Sequence, residues 1–183
     1  MKHTLLSLTF SALLCGCAMF DEAPPSTPEG LASISYTLYV SRASLTNTEF
    51  EQYKLLPAGL FSECGTIHRG RSETRQQTIE KVDSEKLVKS RELALELFET
   101  LSSGDHAPVD APGANSGLAD PGKYTLTVQV GEKRVDLKTS FDFVERQQTS
   151  LSSHAHSLTQ MIRSMPSKTL CGNQDFYGIG RRS

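Results

Sequence analysis

Residues 123–140 read KYTLTVQVGEKRVDLKTS, and this stretch decides the fold class. Apolar and polar residues alternate on both sides of Gly131-Glu132, as they do in two half-buried strands joined by a tight turn. A type II′ turn at that dipeptide brings every large aliphatic residue onto one face, which Phe141 and Phe143 are expected to extend. The predicted cross-strand pairs are Tyr124 with Thr139, Leu126 with Leu137, and Val128 with Val135.

Strand patterns also precede this hairpin. Ser33–Val40 alternates strictly, with Ile34, Tyr36, Leu38 and Val40 on one face. Gly59–Ile67 and Thr78–Val82 are predicted as further strands, and Phe50–Leu56 fits either a short strand or a helical turn. The N-terminal half of the chain therefore supplies most of a sheet.

Two helices are predicted, one on each side of the hairpin. The first opens with Ser84 as its N-cap and ends near Ser102–Gly104. The second is capped by Thr149 or Ser150 and stopped by Pro166. The expected core positions are Leu87, Val88, Leu95, Phe98 and Leu101 in the first helix and Leu151, Ala155, Leu158, Ile162 and Met165 in the second. The order of elements predicts an α+β domain, a mainly antiparallel sheet with both helices packed on one face.

The N-terminus carries a secretory signal. Residues 1–17 read MKHTLLSLTFSALLCGC, a basic start followed by an apolar run of about ten residues and a small residue before the cut. The run is too short for a transmembrane helix, which needs about 20 apolar residues. An ordinary signal peptide cut near Ala18 would give a soluble secreted protein.

Leu14-Cys15-Gly16-Cys17 also resembles the lipobox of bacterial lipoproteins. The resemblance implies cleavage before Cys17, a diacylglycerol on its sulfur and an acyl chain on its amine. Ala18, rather than Asp, follows the lipidated position. In a Gram-negative host this implies sorting to the outer membrane, with the protein facing the periplasm and held through its lipid anchor.

The resemblance, the Pro-rich composition after Cys17 and the remaining length of about 150 residues together predict three segments. Residues 1–16 are the cleaved signal, residues 17–30 are the anchor and a Pro-rich tether, and residues 31–183 form a single periplasmic domain. The tether spans at most about 3.1 Å per residue. The chain has a net charge of −2. Such a balance argues against nucleic acid as a partner, and no cofactor motif is present.

The four cysteines fit an oxidising compartment. Cys15 leaves with the signal and Cys17 is lipidated, so Cys64 and Cys171 remain as one pair. We expect a Cys64–Cys171 disulfide that closes a loop of about a hundred residues, a constraint of roughly 4–5 kcal/mol in the chain-entropy model. Two buried free thiols or a metal pair are the alternatives.

Arginines follow both of these cysteines. They are Arg69, Arg71 and Arg75 after the first and Arg181 and Arg182 after the second. If Cys64 and Cys171 are bonded, the two segments meet and form a cationic patch that suits carboxylates or phosphates. The alternative is a solvated set with weak surface ion pairs, for instance to Glu63 or Glu73.

Other candidate chemistry is weaker. Cys64 and His68 have the spacing of a nucleophile and its base on one strand face, but an oxidising compartment favours a structural bridge. His154 and His156 point in different directions on a helix, which disfavours a metal pair. The loop Asp105–Gly122 contains three aspartates without the every-second-residue spacing of calcium loops, so a binding loop or disorder is preferred.

The leading hypothesis is a non-enzymatic lipoprotein that binds an unidentified envelope protein or polymer. A second hypothesis is an inhibitor or immunity lipoprotein that blocks a cell-wall hydrolase or a toxin, with the loop Asp105–Gly122 as its plugging element. A third is a cell-wall enzyme with an unrecognised site that involves His68, His154 and His156.

Overall fold

The computed structural model describes residues 28–43, 47–104 and 122–167. Within these ranges the elements, in chain order, are α1 (Pro28–Ala32), β1 (Ile34–Ala43), β2 (Thr48–Leu56), β3 (Gly59–His68), β4 (Arg71–Glu80), α2 (Ser84–Ser103), β5 (Lys123–Val130), β6 (Lys133–Ser140), α3 (Phe141–Arg146) and α4 (Ser150–Ser164). The strands form one antiparallel sheet in the order β4-β3-β2-β1-β5-β6. The predicted α+β class is confirmed.

The hairpin β5–β6 has the predicted register. Gly131 has a φ of +58° while Glu132 does not have a positive φ, as a type II′ turn requires. The strand ends at Ser140, however, because the Ser140 side chain accepts a hydrogen bond from the Phe143 amide and caps α3. The expectation that Phe141 and Phe143 extend the strand face is therefore wrong, since both residues lie in a helix.

The N-terminal strands are longer than their sequence patterns indicate. The segment Phe50–Leu56 belongs to a strand, β2, rather than to a helical turn. Strand β4 begins at Arg71, seven residues before the predicted start at Thr78, and ends at Glu80. Most of β4 is exposed on both faces at the edge of the sheet, so its residues show no apolar alternation that marks a strand.

Two tyrosines show that both long helices pack on the same face. The Tyr36 hydroxyl donates to Ser90 Oγ on α2 at 3.0 Å, and the Tyr124 hydroxyl lies 2.7 Å from Thr159 Oγ1 on α4. The β1–β5 register pairs Val40 with Tyr124, so Tyr36 and Tyr124 point to one side of the sheet. The predicted placement of the two helices is confirmed.

Four of the five core positions predicted for α2 pack against the core as partly buried residues, namely Leu87, Leu95, Phe98 and Leu101. The most buried positions and Val88 differ from the prediction. Ser90, Ala94 and Leu97 are its buried residues, whereas Val88 is 44% exposed. Small side chains let this helix approach the sheet, so the closest contacts fall at positions that apolar periodicity overlooks. The N-cap is Asp83 rather than Ser84, because the Asp83 carboxylate accepts from the backbone amides of Glu85 and Lys86.

The prediction for α4 is confirmed. Thr149 is its N-cap, and a capping box joins Thr149 and Ser152 through both side chains. All five predicted core positions are buried. The helical layer and the covered sheet face therefore enclose one apolar core.

Candidate functional site

The β3–β4 hairpin turns at Arg69 and Gly70, which have φ values of +48° and +78°. Two consecutive positive φ angles indicate a type I′ turn, closed by the pair His68 and Arg71. Asn, Asp and Gly are the residues most often found at the first central position of this turn, which Arg69 occupies here. An Arg in this left-handed conformation costs roughly 1–2 kcal/mol.

We use the term arginine corner for Arg69, Arg71 and Arg75. All three are exposed. Within the described ranges, none of the three forms a side-chain hydrogen bond or an ion pair, and the possible acceptor Glu63 accepts from Thr74 Oγ1 at 2.5 Å instead. The three guanidinium groups are therefore not neutralised by described neighbours such as Glu63 or Glu73.

A contrast comes from the opposite edge strand, β6. There Arg134 donates to both oxygens of Asp136, the shortest bond being 3.0 Å. A hydrogen bond from Thr127 and the Arg134 guanidinium hold the pKa of Asp136 below its usual range. An exposed arginine of this sheet can thus carry a local counterion, and the arginine corner lacks one among the residues described.

A β-bulge shapes the strand that carries the corner. Cys64 pairs with Gln76 and Gly65 with Thr74, so Arg75 is the extra residue. Position 65 has to be glycine, since a Cβ there would collide with the backbone carbonyl of Glu73 and with the ring of Phe50. A bulge and charged side chains also hinder edge-to-edge pairing of β4.

Cys64 lies on the covered face of β3 and is completely buried. It is opposite Glu51 on β2. His68 lies about 13 Å farther along the strand, by the rise per residue, and its Nδ1 is 2.7 Å from Asn47 Oδ1. The structure therefore does not bring Cys64 and His68 together as a nucleophile and its base.

Sequence reasoning missed one buried ionic contact. Arg163 on α4 donates from Nε and Nη2 to Glu51 Oε2, at 3.2 and 3.0 Å, and its guanidinium lies 5.8 Å from the centre of the Phe141 ring. The Tyr53 hydroxyl donates to the same carboxylate oxygen at 3.3 Å. The alternation of Glu51 with Tyr53 and Leu55 was the available signal that Glu51 faces the core.

The two other candidate histidines, His154 and His156, make separate local contacts. His154 Nδ1 lies 3.0 Å from Thr100 Oγ1 on α2, and His156 Nδ1 lies 3.4 Å from Glu145 Oε1 on α3. Across the described residues, no three His, Cys, Asp or Glu side chains are grouped as metal ligands. His154 and His156 therefore act as links between helices.

Several predicted positions fall outside the described residues. They are Cys17, Cys171, Arg181, Arg182 and all of the loop Asp105–Gly122 except Gly122. Of the helices that the structure does describe, none is both long and apolar enough to cross a bilayer. No protein-family model matches the chain, and no curated protein matches it.

Proposed function

We propose that this chain is a non-enzymatic, lipid-anchored binding component of the bacterial envelope. It is held at the outer membrane through Cys17 and faces the periplasm. The observation that carries the binding role is the arginine corner, where three exposed guanidinium groups have no counterion among the described side chains. Guanidinium groups of this kind bind carboxylates and phosphates through paired hydrogen bonds.

The polar contacts inside the domain also support a binding role rather than catalysis. Glu51 and Arg163 pair with each other, and the buried hydroxyls of Tyr36 and Tyr124 bond to the helical layer. These contacts hold the sheet to the helices, so the described interior serves packing. The groups available to a partner lie on the outside, and the arginine corner is a cationic set among them without a counterion in the described residues.

A Cys64–Cys171 disulfide belongs to this proposal. Its support is the complete burial of Cys64 on a central part of β3, together with the oxidising compartment that the lipobox implies. The bond would bring Arg181 and Arg182 towards the β3–β4 hairpin. Mass spectrometry of peptides prepared without reductant should recover the linked pair, and two alkylated free thiols would refute it.

Metabolic labelling tests the anchor. Cells given a palmitate analogue should label the wild-type protein, and a Cys17→Ser variant should lose both the label and its place in the membrane fraction. The Cys15→Ser variant is the matched control, because Cys15 is removed with the signal. Labelling that survives Cys17→Ser, or is absent from the wild type, would overturn the anchored function.

Crosslinking in intact cells tests the binding role. The wild-type protein should recover an envelope partner that is depleted when the three residues of the arginine corner are changed to Gln. Recovery of the same partner, at the same yield, by the variant would remove the arginine corner from the proposal.

A further inference from the structure

The chain enters the sheet at the end opposite the arginine corner. Ile34, the first residue of β1, pairs with Val130 beside the turn at Gly131. Ala43, the last residue of β1, pairs with Thr48 on β2. A strand of ten residues spans about 30 Å, so these two ends of the sheet are about that far apart.

The arginine corner lies at the Ala43 end. Thr48 pairs with Ile67 on β3, and Ile67 pairs with Ser72 on β4. These residues form one continuous row across the sheet, next to the turn at Arg69 and Gly70. The hairpin tip is therefore at the far end of the domain from Ile34.

The entry of the chain is fixed to the body of the domain. Leu31 in α1 is buried in the core, and the Ser33 amide donates to the Gly30 carbonyl at 3.1 Å. The chain that precedes α1 therefore joins the domain at the Ile34 end. An anchor at Cys17 would pull on that end, and the hairpin tip would point away from the lipid surface.

We propose that the arginine corner binds carboxylates of the cell-wall polymer on the side of the domain that faces away from the anchoring membrane. This inference rests on the proposed lipidation of Cys17. Peptidoglycan presents repeated carboxylates, and each exposed ion pair is weak, so a repeating polymer suits three arginines better than a single anion does. Phospholipid headgroups of the anchoring leaflet would instead meet the Ile34 end.

The backbone of Arg69 supports a role for its side chain. A type I′ turn accommodates Asn or Gly at this position without the steric conflict that Arg has. Backbone strain of this kind concentrates at binding and active sites. Arg69→Asn should therefore relieve the turn and weaken binding at the same time.

Co-sedimentation with purified peptidoglycan sacculi tests the proposal. The full-length lipidated protein in detergent should sediment with sacculi, and R69Q/R71Q/R75Q should bind about tenfold more weakly, the combined effect expected of three exposed ion pairs. The matched control is K54Q/K133Q/K138Q, which removes three exposed cations from β2 and β6. The control should bind within about twofold of the wild type, and added salt should weaken wild-type binding.

Two further measurements complete the test. Arg69→Asn should lower affinity for sacculi while the melting temperature stays level or rises, which separates lost binding from lost folding. Vesicles that contain phosphatidylglycerol replace the sacculi in a parallel experiment, and the wild type should prefer the sacculi.

Several outcomes would overturn the inference. These are equal losses in the two triple variants, full binding by the arginine variant, and preference for the vesicles. If Cys17 is labelled with the palmitate analogue and sacculus binding is absent, the anchored function stands and the wall-binding inference fails. If Cys17 is not labelled, the anchored function itself fails, and with it the orientation argued from the tether.

Discussion

Glu51 on β2 and Arg163 on α4 are joined by two hydrogen bonds, although 112 positions separate them in the chain. Their side chains are only 10% and 13% exposed. The pair ties the sheet to the helical layer beside Cys64, which is opposite Glu51. The contact therefore holds α4 against the sheet next to Cys64.

Removing one member of this pair should be costly. Arg163→Met leaves the Glu51 carboxylate buried without its cation, and we expect a loss of about 3 kcal/mol in the free energy of unfolding, measured with urea. The double variant Glu51→Leu/Arg163→Met should recover most of that loss, since no charge is then buried. Lys89→Met, which breaks an exposed pair with Glu92, should change stability by less than about 0.5 kcal/mol. Equal losses in the single and double variants would contradict this account.

Alkaline pH should unfold the domain through its buried tyrosines. Burial raises the pKa of Tyr36 to about 12, and burial also raises the pKa of Tyr53 and of Tyr124. Because the folded pKa exceeds the unfolded value of about 10, the stabilisation is complete below pH 10 and is lost as pH rises towards 12. Tyrosinate absorbance from these residues should appear together with the loss of circular dichroism. Their ionisation in a protein that keeps its native spectrum would refute the prediction.

Among the residues that the structure describes, Arg69 and Gln147 are the non-glycine residues with left-handed backbones, and each offers a stabilising substitution. Gln147 follows α3 with a φ of +48°, the same value as Arg69. Gln147→Gly and Arg69→Asn should each stabilise the domain by about 0.5–1 kcal/mol, seen as a higher melting temperature. Gln129→Gly, within β5, is the control and should destabilise by a similar amount. Lower melting temperatures for both left-handed positions would show that these conformations carry no strain.

Gly65 should not tolerate a side chain. In Gly65→Ala, the added methyl meets the Glu73 carbonyl and the Phe50 ring, and we expect a loss of about 2 kcal/mol from overpacking. Gly70→Ala is the matched comparison, because a Cβ there meets nothing within 4 Å and only the left-handed backbone is penalised. Urea unfolding of both variants should rank Gly65→Ala as the less stable. The reverse ranking would argue against the bulge geometry.

The extent to which sequence predicted this structure depended on where each element lies. The β5–β6 register was predictable from Gly131, because a two-residue turn that starts at this glycine brings every large aliphatic residue of the hairpin onto one face. The first seven residues of edge strand β4 escaped prediction, since a strand with two solvent-facing sides has no apolar period. The apolar stripe of α2 was mostly predicted, but fully buried Ser90 was not, because a small polar residue that bonds to Tyr36 carries no apolar signal.

The candidate site was only partly predictable. The clustering of Arg69, Arg71 and Arg75 was visible in the sequence. Whether they form ion pairs, however, depends on the side-chain positions of Glu63 and Glu73, which the sequence does not give. The left-handed backbone of Arg69 has no sequence signature, because arginine rarely occupies that position. The Glu51–Arg163 pair joins elements whose approach is set by the whole tertiary arrangement.

The central position of β1 has a consequence for how the chain acquires its structure. Of the strands that the structure describes, β1 is synthesised first, yet one of its neighbours, β5, is made about ninety residues later. Until β5 arrives, the meander of the first four strands carries an open hydrogen-bonding edge on its most apolar strand. A nascent or translocating chain is therefore most vulnerable to aggregation in that interval, and a holding chaperone would act there.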